Sequence, residues 1–324
     1  MRGFLVTAGE RVAFDCSLPW VMELIAEGAG GELRSSEAVG ASLVIRVEAD
    51  RHRFDTRGWE LLARGAWRRH GEVVVENVCT SGFDLHLSHT PEYAELTYRW
   101  RPPARERAAA RLLRSRFHLL ARAVLMQYPA LWWAGTRGRV PLHASGCVAG
   151  ASTPLVTAPS GIGRSSLLLT ELASGGRATA DNLSVGDGAT VWGLVEPVRA
   201  EGGSGRRMPH GRSERPLEHR AESLVPDCVV VLTRGRLEQS SLASCSSEAA
   251  ARSLVTSTYM AGELRRYWGF AATLTGGSGL GPAHPSVMEV ASAFANRLPC
   301  FSLALGQPPG PRLSELLAAV EVAA

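Results

Sequence analysis

The chain has 324 residues, of which 45% are hydrophobic and 20% charged, and a formal net charge of +4. That composition excludes a disordered or fibrous chain, and the small charge, carried on the basic side by arginine alone, excludes the long basic stripe of a dedicated nucleic-acid binder. With domains usually running to roughly 100 to 200 residues, two are expected. The cysteines at 16, 79, 147, 228, 245 and 300 show no CxxC spacing and read as buried thiols. The N-terminal run MRGFLVTAGERVAF turns polar early, and no stretch reaches the roughly 18 apolar residues of a membrane span. The expectation is a cytoplasmic chain with no membrane partner.

Residues 1–103 alternate apolar and polar positions in short runs such as ASLVIRVEA, GEVVVENVCT, DLHLSH and AELTYRW, which predicts a β-rich N-terminal domain suited to partner or substrate recognition. Pro102 and Pro103 close it. Residues 104–138 read as a linking helix, with Leu112, Leu113, Phe117, Leu120 and Val124 at helical spacing and the arginines between them as a solvated face. From 139 to 324, apolar strands alternate with helices near 164–174, 247–268, 285–297 and 312–321, which predicts an α/β domain in a chain that is α+β as a whole. The stretch 201–223 reads as a loop. The apolar helices near 104–128 and 247–268 offer surfaces for a homo-oligomer.

Inside the second domain, the strand LVTA runs into Pro159, Ser160, Gly161, Ile162, Gly163, Arg164, Ser165 and Ser166, and then into the helical SLLLTELA. A phosphate cradle needs this order: glycines that turn backbone N–H groups toward an anion, a helix whose first N–H groups are free, and a hydroxyl for Mg²⁺, here Ser165. The pattern GxxxxGK[ST] is broken twice, by Ala158 for the first glycine and Arg164 for the lysine. The second break is the serious one, because a planar guanidinium does not replace a compact ammonium at a tight phosphate site. The bland reading of the segment is a Gly-rich turn without a ligand.

LHASG at 142–146, APSGIGRSS, ASGGRATADNLSV at 173–185 and VWGLVEPVR at 191–199 follow one another in an order that resembles the HPr kinase/phosphorylase-related proteins, over roughly residues 105 to 235. The β-rich N-terminal region resembles a looser branch of that family, some members of which accompany peptide-modifying enzymes. The resemblance implies a fold of the phosphoenolpyruvate carboxykinase type, ATP (or another nucleoside triphosphate) with Mg²⁺, and transfer of the γ-phosphoryl group to a hydroxyl of a peptide, protein or small metabolite. It implies residues 160–166 on the phosphates, Ser165 and Asp181 on the metal, and His143 at the reaction centre. Of the family's acidic pair the chain keeps Asp181; Asn182 holds the second place and cannot accept a proton.

A carboxylate some twenty residues beyond a phosphate loop serves either as a metal ligand or as the base for the attacking oxygen, and the Asp-Asn pair also reads as an ordinary turn. His143 reads equally as a satisfied core histidine. Arg199, His210, Arg212 and Arg215 are expected either to neutralise phosphate charge, Arg212 above all, or to be solvated. Two functions follow: an ATP-dependent phosphotransferase, or a degenerate nucleotide-binding or scaffolding protein in which Arg164 and Asn182 mark lost catalysis.

Overall fold

The computed structural model describes residues 1–35, 40–200, 206–208, 211–235, 239–306 and 311–323. Its helices and several mixed sheets make an α+β chain with two compact units. One comprises Met1–Arg137, Arg207–Arg212 and Arg265–His284; the other comprises Gly138–Arg206, Ser213–Leu264 and Pro285–Ala324. No helix among the described residues is long and apolar enough to cross a membrane.

The first unit opens with a hairpin of β1 (Arg2–Thr7) and β2 (Glu10–Cys16). Its two-residue turn puts Ala8 at φ 55° and Gly9 at φ 73°, the doubly positive geometry that matches the twist of paired strands. Helix α1 (Pro19–Ala29) begins with a proline in its first turn, ends on left-handed Gly30, and carries the chain to β3 (Leu43–Glu48), parallel to β2. Then come β4 (Glu60–Ala63), β5 (Ala66–Arg69), β6 (Glu72–Val75), β7 (Phe83–His89) and β8 (Ala94–Trp100). They complete one eight-stranded sheet in the order β1-β2-β3-β8-β7-β6-β5-β4. Leu43, Ile45 and Val47, like Leu85 and Leu87, alternate onto its buried face.

The expected linking helix belongs to this first unit and is broken. Helix α2 (Ala104–Leu112) stops at Leu113, whose φ of −116° and ψ of 48° leave the helical region; α3 (Arg114–Arg122) follows, then a π-turn over Ala123–Gln127 and α4 (Tyr128–Thr136). The apolar spacing is continuous through the break. What changes is burial: α2 buries no side chain, whereas α4 buries nearly all of its residues, Trp132 and Trp133 among them.

In the second unit the chain runs β9 (Val140–Leu142), β10 (Ala144–Val148), β11 (Pro154–Thr157), α5 (Arg164–Ala173), β12 (Arg177–Ala178), β13 (Ser184–Gly186), β14 (Val191–Gly193) and β15 (Val198–Ala200). Then follow β16 (Arg206–Arg207), β17 (Ser213–Arg215), β18 (Ser223–Leu224), β19 (Cys228–Arg234), β20 (Ser241–Ser244) and α6 (Ser247–Met260). Between α6 and α8 (Val287–Arg297), helix α7 (Tyr267–Ser278) returns to the first unit, where it packs on β4, β5 and β6. Strand β21 (Cys300–Leu305) and α9 (Leu313–Ala323) end the described fold.

The main sheet here has the order β12-β10-β11-β19-β21-β20, with β11, β19 and β21 parallel. Both faces are covered, so successive residues of β19 enter different cores. Val229 and Val231 pack with α6 and α8, while Val230 and Leu232 pack with α5 and α9. The long apolar run in the sequence is the signature of that double burial. A second sheet, β18-β14-β13-β9, shares a boundary with it, since β9 pairs with β13 and β10 with β11. The stretch 140–150 therefore holds two strands, and His143 is the residue at which the chain changes sheets.

Candidate nucleotide site

The loop leaves the carboxyl end of β11, a strand held between β10 and β19, and enters α5 at Arg164. Gly161 has φ 85° and Gly163 φ 121°, backbone conformations that side chains oppose, and a Cβ on Gly163 would stand 3.2 Å from Leu305 Cδ1. Ala158, in the place of the pattern's first glycine, is buried and does not take a positive φ, so its methyl group is accommodated. Gly163 caps α5 with no side chain, leaving the N–H groups of the first turn without intrahelical partners. Ser160, Gly161 and Ser166 are exposed; Ile162, Gly163 and Ser165 are half-buried.

Arg164 does not follow them outward. It is only 6% exposed, and its guanidinium turns under the loop. Nη1 donates to the His143 carbonyl at 2.7 Å, and Nη2 reaches His143 Nε2 at 2.9 Å, the Asn182 carbonyl at 3.2 Å and Asn182 Oδ1 at 3.4 Å. A guanidinium only donates, so His143 Nε2 is the acceptor and the ring proton sits on Nδ1. Burial first and the neighbouring Arg164 charge second hold His143 far below its usual pKa, at about 3, as a neutral ring. The backbone on either side is fixed as well, with His143 N–H donating to Thr258 Oγ1 at 3.0 Å.

Asp181 and Asn182 follow β12. Asp181 is fully buried; its Oδ2 accepts from Asn182 Nδ2 at 3.2 Å and from the Arg199 N–H at 3.0 Å, while Oδ1 has no hydrogen-bond partner. A buried carboxylate oxygen left unpaired is costly unless a cation or a donor completes it. Two further carboxylates escaped the sequence reading. Glu196 Oε1 accepts from the N–H groups of Asn182 at 2.6 Å and Leu183 at 2.8 Å, and Glu263 is ion-paired with Arg199. Burial raises Glu196 to about 7, against the opposing pull of Arg199. Burial pushes Glu263 up most strongly, but the Arg199 charge and the hydrogen bonds the carboxylate accepts together outweigh it and hold Glu263 below its usual value. A glutamate inside the apolar run GLVEPV was the available signal for Glu196; Glu263 offered none.

The structure thus brings His143, Arg164, Asp181 and Asn182 together, with Arg199, Glu196 and Glu263 around them. Arg212 is part of the first compact unit, and Arg215 lies exposed on β17. His210 lies outside the described residues. No group of three or more His, Cys, Asp or Glu residues has metal-holding geometry among the described residues. The orphaned Asp181 Oδ1 fits a cation nonetheless, provided that a polyphosphate and the Ser165 hydroxyl supply further oxygens. Cys16, Cys147, Cys228 and Cys300 are buried, and Cys79 and Cys245 half-buried, all six as free thiols.

The chain matches no protein-family model and no curated protein sequence. A strand–loop–helix segment and a buried acid, joined through Arg164 and Asn182, make up the candidate site.

Proposed function

We propose that the second unit binds a nucleoside triphosphate with Mg²⁺ and transfers its γ-phosphoryl group to a hydroxyl, as the resemblance to HPr kinase-related proteins implies. The observation that carries the reading is the join between loop and acid: Arg164, first residue of the helix after the loop, reaches the backbone and side chain of Asn182, next to an Asp181 with one free, buried oxygen. The loop glycines and the first turn of α5 supply N–H groups for the phosphates. Ser165 and Asp181 would hold the metal, which when bound neutralises charge developing on the transferred group. Asp181 is also the one acid of the sequence pair able to take the hydroxyl proton; Asn182 is left to orient.

The anchoring of Arg164 favours a second reading. A guanidinium committed to His143 and Asn182 is not on the phosphates, which is the arrangement of a binder that no longer turns over. Titration calorimetry with Mg²⁺ and a non-hydrolysable ATP analogue tests the first step. Wild type is expected to bind, and Asp181→Asn to lose most of the Mg²⁺ dependence; absence of heat with any nucleotide sinks both readings. The pair Arg164→Lys with Asn182→Asp then separates them, since it should raise hydrolysis at least tenfold in a weakened enzyme and leave a pure binder inert.

A further inference from the structure

A cavity of about 710 Å³ lies wholly within the first unit, beside the carboxyl end of β8 and along α2. Five arginines line it against two carboxylates, a local excess of three positive charges (five minus two). Both carboxylates are already committed: Asp84 is ion-paired with Arg101, and Glu76 with Arg53 at 3.4 Å. Arg51, Arg107 and Arg111 have no acidic partner among the described residues.

The cleft is built rather than incidental. Buried Asp84 takes the Asn77 N–H on Oδ1 at 2.9 Å and Arg101 on Oδ2, and Arg101 Nε donates to the Arg51 carbonyl at 2.7 Å, so one acid fixes both sides. Trp100 lies against Gly82, where an added Cβ would stand 2.6 Å from the indole. The wall opposite is α2, a helix that buries none of its side chains yet lines the cavity with Arg107, Ala110 and Arg111. A short helix with no buried face gains little from the core, and its arginines repel one another until an anion lies between them.

We infer that this cleft docks an acidic peptide segment, with carboxylates on Arg51, Arg107 and Arg111 and an apolar side chain against Trp100 and Pro102. Guanidinium forks suit carboxylates, and the apolar floor suits a side chain. A nucleic-acid backbone fits less well, because it presents an unbroken line of phosphates and this wall carries Glu76 and Asp84. Calling the peptide the docking segment of the phosphoryl acceptor rests on the phosphotransferase reading; the docking itself does not.

The test is fluorescence anisotropy of the full chain with a short labelled peptide of Glu, Ser and Leu, on wild type and on Arg51→Glu/Arg111→Glu, both exposed positions. The proposal expects saturable binding that weakens with salt and falls at least about tenfold in the double variant, while ATP-analogue affinity stays unchanged. Absence of binding by wild type, equal binding by the variant, or stronger competition from an oligonucleotide of matching length overturns it. Peptide binding with no nucleotide binding would leave the docking site standing and remove the kinase reading alone.

Discussion

At the scale of single residues, the site is a buried charge system in which His143 and Glu196 pull stability in opposite directions. His143 titrates at 6.5 in an unfolded reference and at about 3 here, so between those values the unfolded chain holds more protons and falling pH costs stability. Glu196 moves from 4.5 to about 7, so between those values the folded chain holds more protons and rising pH costs stability. From 4.5 to 6.5 the two effects offset one another. Glu196→Gln keeps the oxygen that accepts from Asn182 and Leu183 but binds no proton, leaving the histidine effect alone. Denaturant unfolding at pH 4.5 and above pH 7 should find wild type losing on the order of 2 kcal/mol relative to this variant as pH rises. A difference that stays constant across that range would place the Glu196 titration elsewhere.

At the scale of elements, the acid segment is held by a contact that leaves no room for a side chain. Gly193, in β14, has its pro-Cβ position 1.8 Å from the Thr179 carbonyl oxygen, and a methyl group there meets backbone that cannot rotate away. The Thr179 side chain accepts from Gly146 N–H at 3.1 Å, two residues before Asp181, so displacement of this strand moves the carboxylate. Gly193→Ala is expected to destabilise the protein by about 3 kcal/mol and to abolish nucleotide binding at temperatures where it remains folded; a melting temperature near that of wild type would show that β14 yields.

The strand–loop–helix over 155–173 was legible in sequence because its two positive-φ positions demand glycine and its flanks are one strand and one amphipathic helix. So were α8 and α9, which fall on the helices expected near 285–297 and 312–321. The inward turn of Arg164, the arrival of Glu196 and Glu263, and the sheet change at His143 were not, since each depends on neighbours distant in the chain. The break at Leu113 was hidden for a different reason: hydrophobic spacing reports which face a helix offers, not whether anything covers it.

At the scale of the whole molecule, sequence order and spatial order part company at α7. Read along the chain, residues 267–278 fall within the expected domain of 139–324, just past the helix expected near 247–268; in the fold they complete the first unit. Tyr267 and Leu274 are fully buried and Phe270 nearly so, Tyr128 of α4 lies 5.8 Å ring to ring from Tyr267, and Gly277 lets Val73 of β6 approach to where a Cβ would be 2.6 Å away. None of these partners survives a cut at the boundary that composition suggests. A fragment spanning 139–324 would present Tyr267, Phe270 and Leu274 to water, each worth about 1.5–3 kcal/mol of burial when covered, and a fragment spanning 1–138 would leave β4 to β6 without the helix that packs on them. Each is expected to aggregate or bind a hydrophobic dye when expressed alone, whereas co-expression should return a soluble complex, because α7 then finds its sheet. Cooperative unfolding of 139–324 alone, with nucleotide affinity equal to the intact chain, would mean that α7 is an accessory of the first unit rather than a part of its core.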